Sequence, residues 1–516
     1  MSEPIHADSH DLASFGYKQE LHRSLGSFSS FAAGFSYISI LTGMFQTAAL
    51  GFLFAGRAFI WAWPVVFLGQ MTVALQFAEL AAHFPLAGSV YQWSKRLAGP
   101  MWAWNTGWIY LCAQIVTIPA VALAWQVILP QITPKFQFIK CTVSTAPGST
   151  CTDKNYPGVF DSAFAKNAFI LAAIMIVLTT TVNLLGVRII SRINNIGVIA
   201  ELVGAVGLIL LLIINIKHGP SVLFKTDGTG AGHDWGYFGA LLLGAIMPLY
   251  VMYGFDSAGS LAEETADPRR TAPRALIRAL LTAGVLGFLL IGFGTMAVDK
   301  GATGFGLTSI TKDVLGDTWG NIWLADVALA IFVCCLAIQA MSIRILFSMA
   351  RDGNLPFARA IASVSARRRV PVVPALASGA IALIILAFNI VNPSAFTIII
   401  SLGIILMYIA YLGVTIPLLR KRLAGWPGNL PDAQEGLFSL GKWGVPINVV
   451  AILYGASMII NLEWPRVALY VDDTYKWGPI VATIGLLGFG LIYYYAVQQH
   501  KSGVLEEHRA EAVAGD

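Results

Sequence analysis

The chain has 516 residues, of which 56% are hydrophobic and 12% charged, with a mean hydropathy of +0.70 and a formal net charge of +5. A water-soluble domain carries about 25% charged residues, so this chain lacks the polar surface to coat several soluble domains, and a disordered protein, a nucleic-acid binder and a secreted disulfide scaffold fit poorly. Its apolar residues fall in runs of about 20, long enough to cross the hydrocarbon core of a bilayer as helices, which predicts an all-α, multi-pass membrane protein.

A polar tail over 1–26 lacks the charged, apolar and small-residue order of a cleaved signal peptide. Twelve apolar segments follow, at 28–55, 58–82, 101–130, 167–187, 193–216, 236–262, 275–298, 322–349, 372–391, 395–419, 445–463 and 477–498. They group into two sets of five, 27–216 and 236–419, then a last pair, 443–498, and a tail, 499–516. An even number of spans puts both termini on one side. Arginines cluster in alternate connections, among them Arg269, Arg270, Arg274, Arg278 and the Arg367–Arg369 run, which predicts that this side is cytoplasmic. Trp61 and Trp63 outside, and Tyr493, Tyr494 and Tyr495 inside, are expected in interfacial belts. Cys112, Cys334 and Cys335 lie within spans and read as small buried hydrophobes. Cys141 and Cys151 lie in the long external connection 131–166, where an oxidising environment favours a disulfide between them.

A spanning helix satisfies its own backbone, so a break at membrane depth occurs only where it is buried or lines a cavity. Two spans carry such interruptions. The first reads Ala33-Gly34-Phe35-Ser36-Tyr37-Ile38-Ser39-Ile40-Leu41-Thr42-Gly43-Met44, with glycines and hydroxyls at its centre. The sixth reads Pro248-Leu249-Tyr250-Val251-Met252-Tyr253-Gly254-Phe255-Asp256, with a proline, a glycine and an acid. These spans open the two sets of five, and paired interruptions at corresponding positions point to a transporter site between inverted repeats. In the seventh span Gly284, Gly287, Gly292 and Gly294 have no polar companions and read as close-packing positions.

Several motifs resemble one family. The stretch Glu79-Leu80-Ala81-Ala82-His83-Phe84-Pro85-Leu86-Ala87-Gly88-Ser89-Val90-Tyr91-Gln92-Trp93, ending the second span, is similar to the signature of the amino acid–polyamine–organocation (APC) superfamily. Gly254-Phe255-Asp256 with Glu263-Glu264-Thr265 and the following Asp267-Pro268-Arg269-Arg270 resembles its sixth helix and exit. Met349-Ala350-Arg351-Asp352-Gly353-Asn354-Leu355-Pro356 resembles the loop after its eighth. Phe15-Gly16-Tyr17 and Phe35-Ser36-Tyr37-Ile38-Ser39 further resemble the amino acid/choline branch, which includes permeases for γ-aminobutyrate and choline. The resemblance spans about residues 15–500. It implies a five-plus-five inverted-repeat transporter fold with helices 1 and 6 broken and helices 11 and 12 added.

Unwinding of the first span near Ile40–Gly43 would leave the amides of Thr42, Gly43 and Met44 at a positive helix end, a site for a substrate carboxylate. The carbonyls near Tyr37–Ile40 and Tyr250–Gly254 would attract an ammonium group. An intramembrane acid is a functional candidate: Asp256 either meets the cationic end of the substrate, takes up a proton, or caps the broken helix. Tyr37, Tyr253 and Phe255 can face a cation or pack. Gln114 and Gln339 are candidates for lining the cavity. Glu201 is the second acid at membrane depth. In proton-coupled relatives a lysine stands near this point, which implies proton exchange at Glu201; the alternative is a structural hydrogen bond to Asn194, Asn195 or a neighbouring helix. A Glu79–Arg344 gate pair is a further expectation, and Asp326, near the outer end of the eighth span, is expected to be hydrated.

No span contains a histidine, and no HExxH, Walker or GxSxG pattern occurs, so an enzyme is not expected, nor a cofactor or metal. A channel would need a filter-like loop, and none is visible; a non-transporting receptor is the other alternative. The sequence thus predicts a plasma-membrane secondary transporter for a small-molecule substrate. An amino acid such as γ-aminobutyrate leads, with choline or a polyamine as the alternative and the proton as the expected coupling ion.

Overall fold

The computed structural model describes residues 12, 15–18, 25–144, 151, 153, 161–298, 306–365, 370–391, 395–428, 436–470, 473, 475–501 and 503–509. The Arg367–Arg369 run and most of both tails lie outside them. Among the described residues the regular structure is helical, and eleven helices are long and apolar enough to cross a membrane.

In chain order, α1 (Ser27–Ile38) and α2 (Ile40–Ala55) form the first span, interrupted at Ser39. Next come α3 (Ala62–His83), the short α4 (Ser89–Ala98), and α5 (Pro100–Ala122) with α6 (Ala124–Ile132). Then follow α7 (Ser162–Asn183) and α8 (Val187–Ile214). The sixth predicted segment is divided among α9 (Tyr237–Gly244), α10 (Ile246–Val251) and α11 (Ser257–Ser260). It therefore contributes no single long helix, which is why twelve predicted segments yield eleven long spans. The chain continues through α12 (Pro268–Ala297), α13 (Leu307–Arg351), α14 (Val372–Val391), α15 (Ala395–Leu423), α16 (Gly444–Glu463) and α17 (Gly478–Tyr493). α13 starts well before the expected residue 322, and non-helical backbone at Gly316 divides it.

The signature stretch expected to end the second span instead bridges two elements. Its Glu79–His83 part closes α3, and Ser89 begins α4, a separate amphipathic helix whose buried residues include Val90, Tyr91 and Trp93.

The broken elements occupy the middle of the bundle. α2, α10 and α11, and α1 from Ala32 to Ile38, are largely buried, whereas α8 exposes Ile196, Ile199, Val203, Leu210 and Ile214 on one side. Such a stripe is the face that lipid covers, and it leaves Glu201 on the buried side. Small residues bring the helices together, as they do where apolar burial gives no net drive between them. On α12, a Cβ added at Gly284 would lie 2.2 Å from the Phe67 ring, and one at Gly287 would lie 2.1 Å from Trp63. Trp63 is thus a packed residue, with its indole N–H on the Gly284 carbonyl at 2.8 Å, and not the interfacial belt residue expected of it.

Both tails reach the same face. Tyr17 pairs with Arg509 in an antiparallel bridge, and the Lys18 amide donates to the His508 carbonyl at 3.2 Å. Near the opposite face Cys141 and Cys151 form a disulfide.

Candidate functional site

The first break has a definite chemical form. Ser39 adopts φ 33°, ψ 90°, which ends α1 and lets its carbonyl start α2 through the Gly43 amide at 3.0 Å. A helix N-terminus leaves amides without intrahelical partners, and side chains satisfy them here. The Thr42 amide donates to Ser39 Oγ at 3.4 Å, as an N-cap serine allows. The Leu41 amide donates to Glu201 Oε1 at 3.1 Å, and Ser39 Oγ donates to the same oxygen at 2.9 Å.

This corrects two expectations. The break lies at Ser39, before Ile40–Gly43, because serine caps the second half. The Thr42 and Gly43 amides are internally bonded, and the carboxyl at this positive helix end is the protein's own Glu201. Ile40, Thr42, Gly43 and Met44 are all buried in α2, with Gly43 so close to α10 that a Cβ there would lie 2.7 Å from Val251. Glu201 bonds to neither Asn194 nor Asn195 but, as the structural alternative also allowed, to a neighbouring helix, through Ser39 and Leu41; its second oxygen, Oε2, is buried without a hydrogen-bond partner, while Asn195 donates to Ser29.

The second break runs through Met252–Asp256. Gly254 has φ +85°, which an L side chain rarely adopts, and a Cβ there would fall 1.8 Å from the Tyr37 ring. Absence of a side chain therefore lets the two broken spans touch. The Gly254 amide donates to Tyr411 Oη at 2.9 Å.

Asp256 follows directly and is fully buried. Tyr411 donates to Oδ1 at 2.5 Å, Ser89 to Oδ2 at 3.1 Å, and Tyr110 to Oδ2 in a short hydrogen bond. Three hydroxyls from α15, α4 and α5 thus converge on one carboxyl, as a buried acid requires. Asp256 is not the open acceptor for an amine that the sequence suggested; it ties three helices to the break. Nothing in the sequence marks these three hydroxyl residues as partners of Asp256, although Ser89 lies inside the signature stretch.

The aromatic residues divide. Tyr37 and Tyr253 meet edge-on with ring centroids 6.1 Å apart, and Tyr250 adds a third ring at 5.9 Å from Tyr253. Phe255 instead packs between Phe77 and Tyr411, away from that cluster. Gln114 joins the site: its carbonyl accepts from Tyr37 Oη at 2.8 Å, and its Nε2 is buried without a partner. Gln339 does not. Its amide donates to Thr180 of α7 at 2.6 Å, and it faces Gly379 of α14.

The expected Glu79–Arg344 gate pair is not formed. Glu79, at the end of α3, meets Arg422 at the end of α15 in a short buried ion pair and also accepts from Ser439 Oγ and the Leu440 amide. Arg344 lies farther inside α13 and is held by both oxygens of Glu264, at 2.7 and 2.9 Å. Arg351 forms a third buried pair with Glu263, at 3.0 and 3.1 Å. All three pairs close the face that carries the tails.

A family model described as amino acid permease matches residues 25–489. The chain is 27% identical to the amino-acid permease BAT1 of Arabidopsis thaliana, over 95% of this chain and 94% of that protein. It is 26% identical to the BAT1 homologue of Oryza sativa subsp. japonica, over 91% and 90% of the two chains. An uncharacterised amino-acid permease of Schizosaccharomyces pombe is 25% identical over 96% of this chain and 86% of its own.

Proposed function

The chain belongs to the amino acid permease family, and on that premise we propose that it moves an amino acid such as γ-aminobutyrate across the plasma membrane by alternating access, coupled to protons. In this reading the first two sets of five helices are inverted repeats. The tail-bearing face is cytoplasmic, and the substrate binds between the broken first and sixth spans.

The observation that carries the proposal is Glu201 at the first break. Ionised, it supplies the counter-charge for the positive end of α2 through Ser39 and Leu41. A proton on Glu201 removes that charge. The positive potential of the helix end is then no longer offset, which favours an anionic substrate group arriving nearby and links proton uptake to substrate uptake. The amine end faces the Tyr37–Tyr253–Tyr250 cluster and the carbonyls of the sixth-span break. That aromatic cluster also favours the second reading, an organic cation such as choline or a polyamine, for which the carboxylate site would be idle.

Uptake of labelled γ-aminobutyrate and choline into proteoliposomes, with and without an inward proton gradient, tests both. Saturable γ-aminobutyrate uptake enhanced by the gradient is expected. Choline uptake without γ-aminobutyrate uptake would replace the first reading by the second. Uptake indifferent to the gradient would remove proton coupling.

A further inference from the structure

Resting on the proton-coupled reading, we propose that Asp326 is the outer member of a two-carboxylate proton path that ends at Glu201. α8 and α13 run antiparallel and interlock along one seam. A Cβ added at Gly197 would lie 2.4 Å from Val333, one at Gly204 would lie 1.8 Å from Asp326 Oδ2, and one at Gly207 would lie 3.1 Å from Trp323. Trp323 also fixes the register by donating from its indole to the Gly204 carbonyl at 3.0 Å.

Glu201 stands on this same seam, about one turn past Gly197 and about one turn, roughly 4.5 Å of rise, short of Gly204. The sequence expected Asp326 to be hydrated. Instead its carboxyl lies against α8, and its Oδ2 is buried without a hydrogen-bond partner, as is Oε2 of Glu201. Asp326 is partly exposed, whereas Glu201 is 1% exposed. One acid is thus partly exposed at the rim of the seam, the other is enclosed at the break, and the absence of a side chain at Gly204 leaves room for the Asp326 carboxyl against α8.

Cys334 of α13, whose thiol donates to the Tyr37 carbonyl at 3.4 Å, is a titratable neighbour of Glu201, and the other charged groups are remote. Of the helices packed against α13, α1, α2, α5, α6 and α14 carry no charged residue, and α7 carries Lys166 near its opposite-face end. Besides Glu201, α8 has Arg188 and Arg192 near the tail-bearing face, where α12 has Arg269, Arg270, Arg274 and Arg278. α13 itself carries Lys312, Asp313 and Asp317 ahead of Asp326, and Arg344 and Arg351 beyond it. The transfer is a simple proton exchange: Asp326 takes a proton from the outer solution, passes it to Glu201, and is left as the carboxylate. No electron or co-reactant is involved.

Infrared titration of the protein in lipid, in the wild type and in Glu201→Gln, Asp326→Asn and Gly204→Ala, reads the coupling without a substrate. If the acids share a proton path they titrate as a pair. The Asp326 carboxyl band is then displaced by about one pH unit in Glu201→Gln, and the Glu201 band likewise in Asp326→Asn. Gly204→Ala, which forces the carboxylate off the seam, should displace both without removing either. Should Asp326→Asn fail to fold, the other two variants still decide. Bands that stay in place overturn the path. Labelled γ-aminobutyrate uptake separates the two ideas: gradient-driven uptake with unmoved bands removes the path alone, while gradient-independent uptake removes proton coupling and the path with it.

Discussion

Ser39 donates to Glu201 at 2.9 Å from the one residue that interrupts the first span. The acid on α8 and the break between α1 and α2 therefore form a single unit, in which the charge on Glu201 bears directly on the backbone of the broken helix. Its partners are a hydroxyl and an amide, not a cation, so the charge is held by oriented dipoles.

The hydroxyls around Asp256 lead to a stability prediction. Tyr110→Phe or Tyr411→Phe removes one donor from a fully buried carboxyl, at a cost of about 1–3 kcal/mol each. Thermal unfolding of the purified protein should show a lower Tm for each variant. The double variant should lose less than the sum if the hydroxyls act as one network. Unchanged Tm values would mean that Asp256 is satisfied in another way.

Contact between the breaks depends on Gly254. Gly254→Ala combines a left-handed backbone with a methyl group 1.8 Å from the Tyr37 ring, so Tyr37 must move and its bond to Gln114 is lost. Uptake should fall about tenfold, which corresponds to a loss of about 1.4 kcal/mol of substrate binding. Wild-type uptake in this variant would place the substrate away from Tyr37.

The ion pairs of the tail-bearing face differ in burial, and the difference can be measured. Arg422→Ala leaves Glu79 buried without its cation, which should cost about 3–5 kcal/mol. Arg359→Ala removes an exposed partner of Glu507 and should change little. Comparable losses of Tm in the two variants would contradict this assignment of weight.

Docking of the amino-terminal tail has a pH limit. Tyr17 Oη donates to Asp352 at 2.9 Å and accepts from Lys95 at 3.0 Å, while the Arg351 guanidinium lies 4.0 Å from the Tyr17 ring centroid. Burial, and then the Asp352 carboxylate, push the Tyr17 phenol above its ordinary 10.0. Burial, the largest single influence, would lower Lys95, but the attraction and hydrogen bonds of Asp352 and Tyr17 together outweigh it and raise the ammonium above 10.5. Both groups hold their protons more tightly in the folded chain. Their contribution is therefore complete below about pH 10 and lost as pH rises through the raised values. Hydrogen-exchange protection around Tyr17, taken relative to the base-catalysed intrinsic rate, should be steady from pH 6 to about 9 and fall only above about 10. Loosening near neutrality would mean that other groups hold the tail.

Much of this architecture was legible because it follows from local chemistry. Pro248, Gly254 and Asp256 announced the sixth-span break, and the glycines of α12 announced close packing. Ser39 could have been found as an N-cap, but it is one hydroxyl among several in Ser36-Tyr37-Ile38-Ser39, and only the fold shows which one turns the chain. The partners of Asp256 come from positions up to 167 residues away, at Ser89, Tyr110 and Tyr411. No periodicity relates them. The gate pair failed for the same reason: charge complementarity admits several partners for Glu79, and the helix ends bring Arg422 to it while Glu264 takes Arg344.

The role of Glu201 in proton coupling is tested by γ-aminobutyrate uptake in Glu201→Gln proteoliposomes under an inward proton gradient, against the wild type. Glutamine keeps a carbonyl for Ser39 and Leu41 but carries no exchangeable acid proton. The gradient should enhance wild-type uptake and have no effect on the variant. Uptake by Glu201→Gln that still rises with the proton gradient would contradict that role.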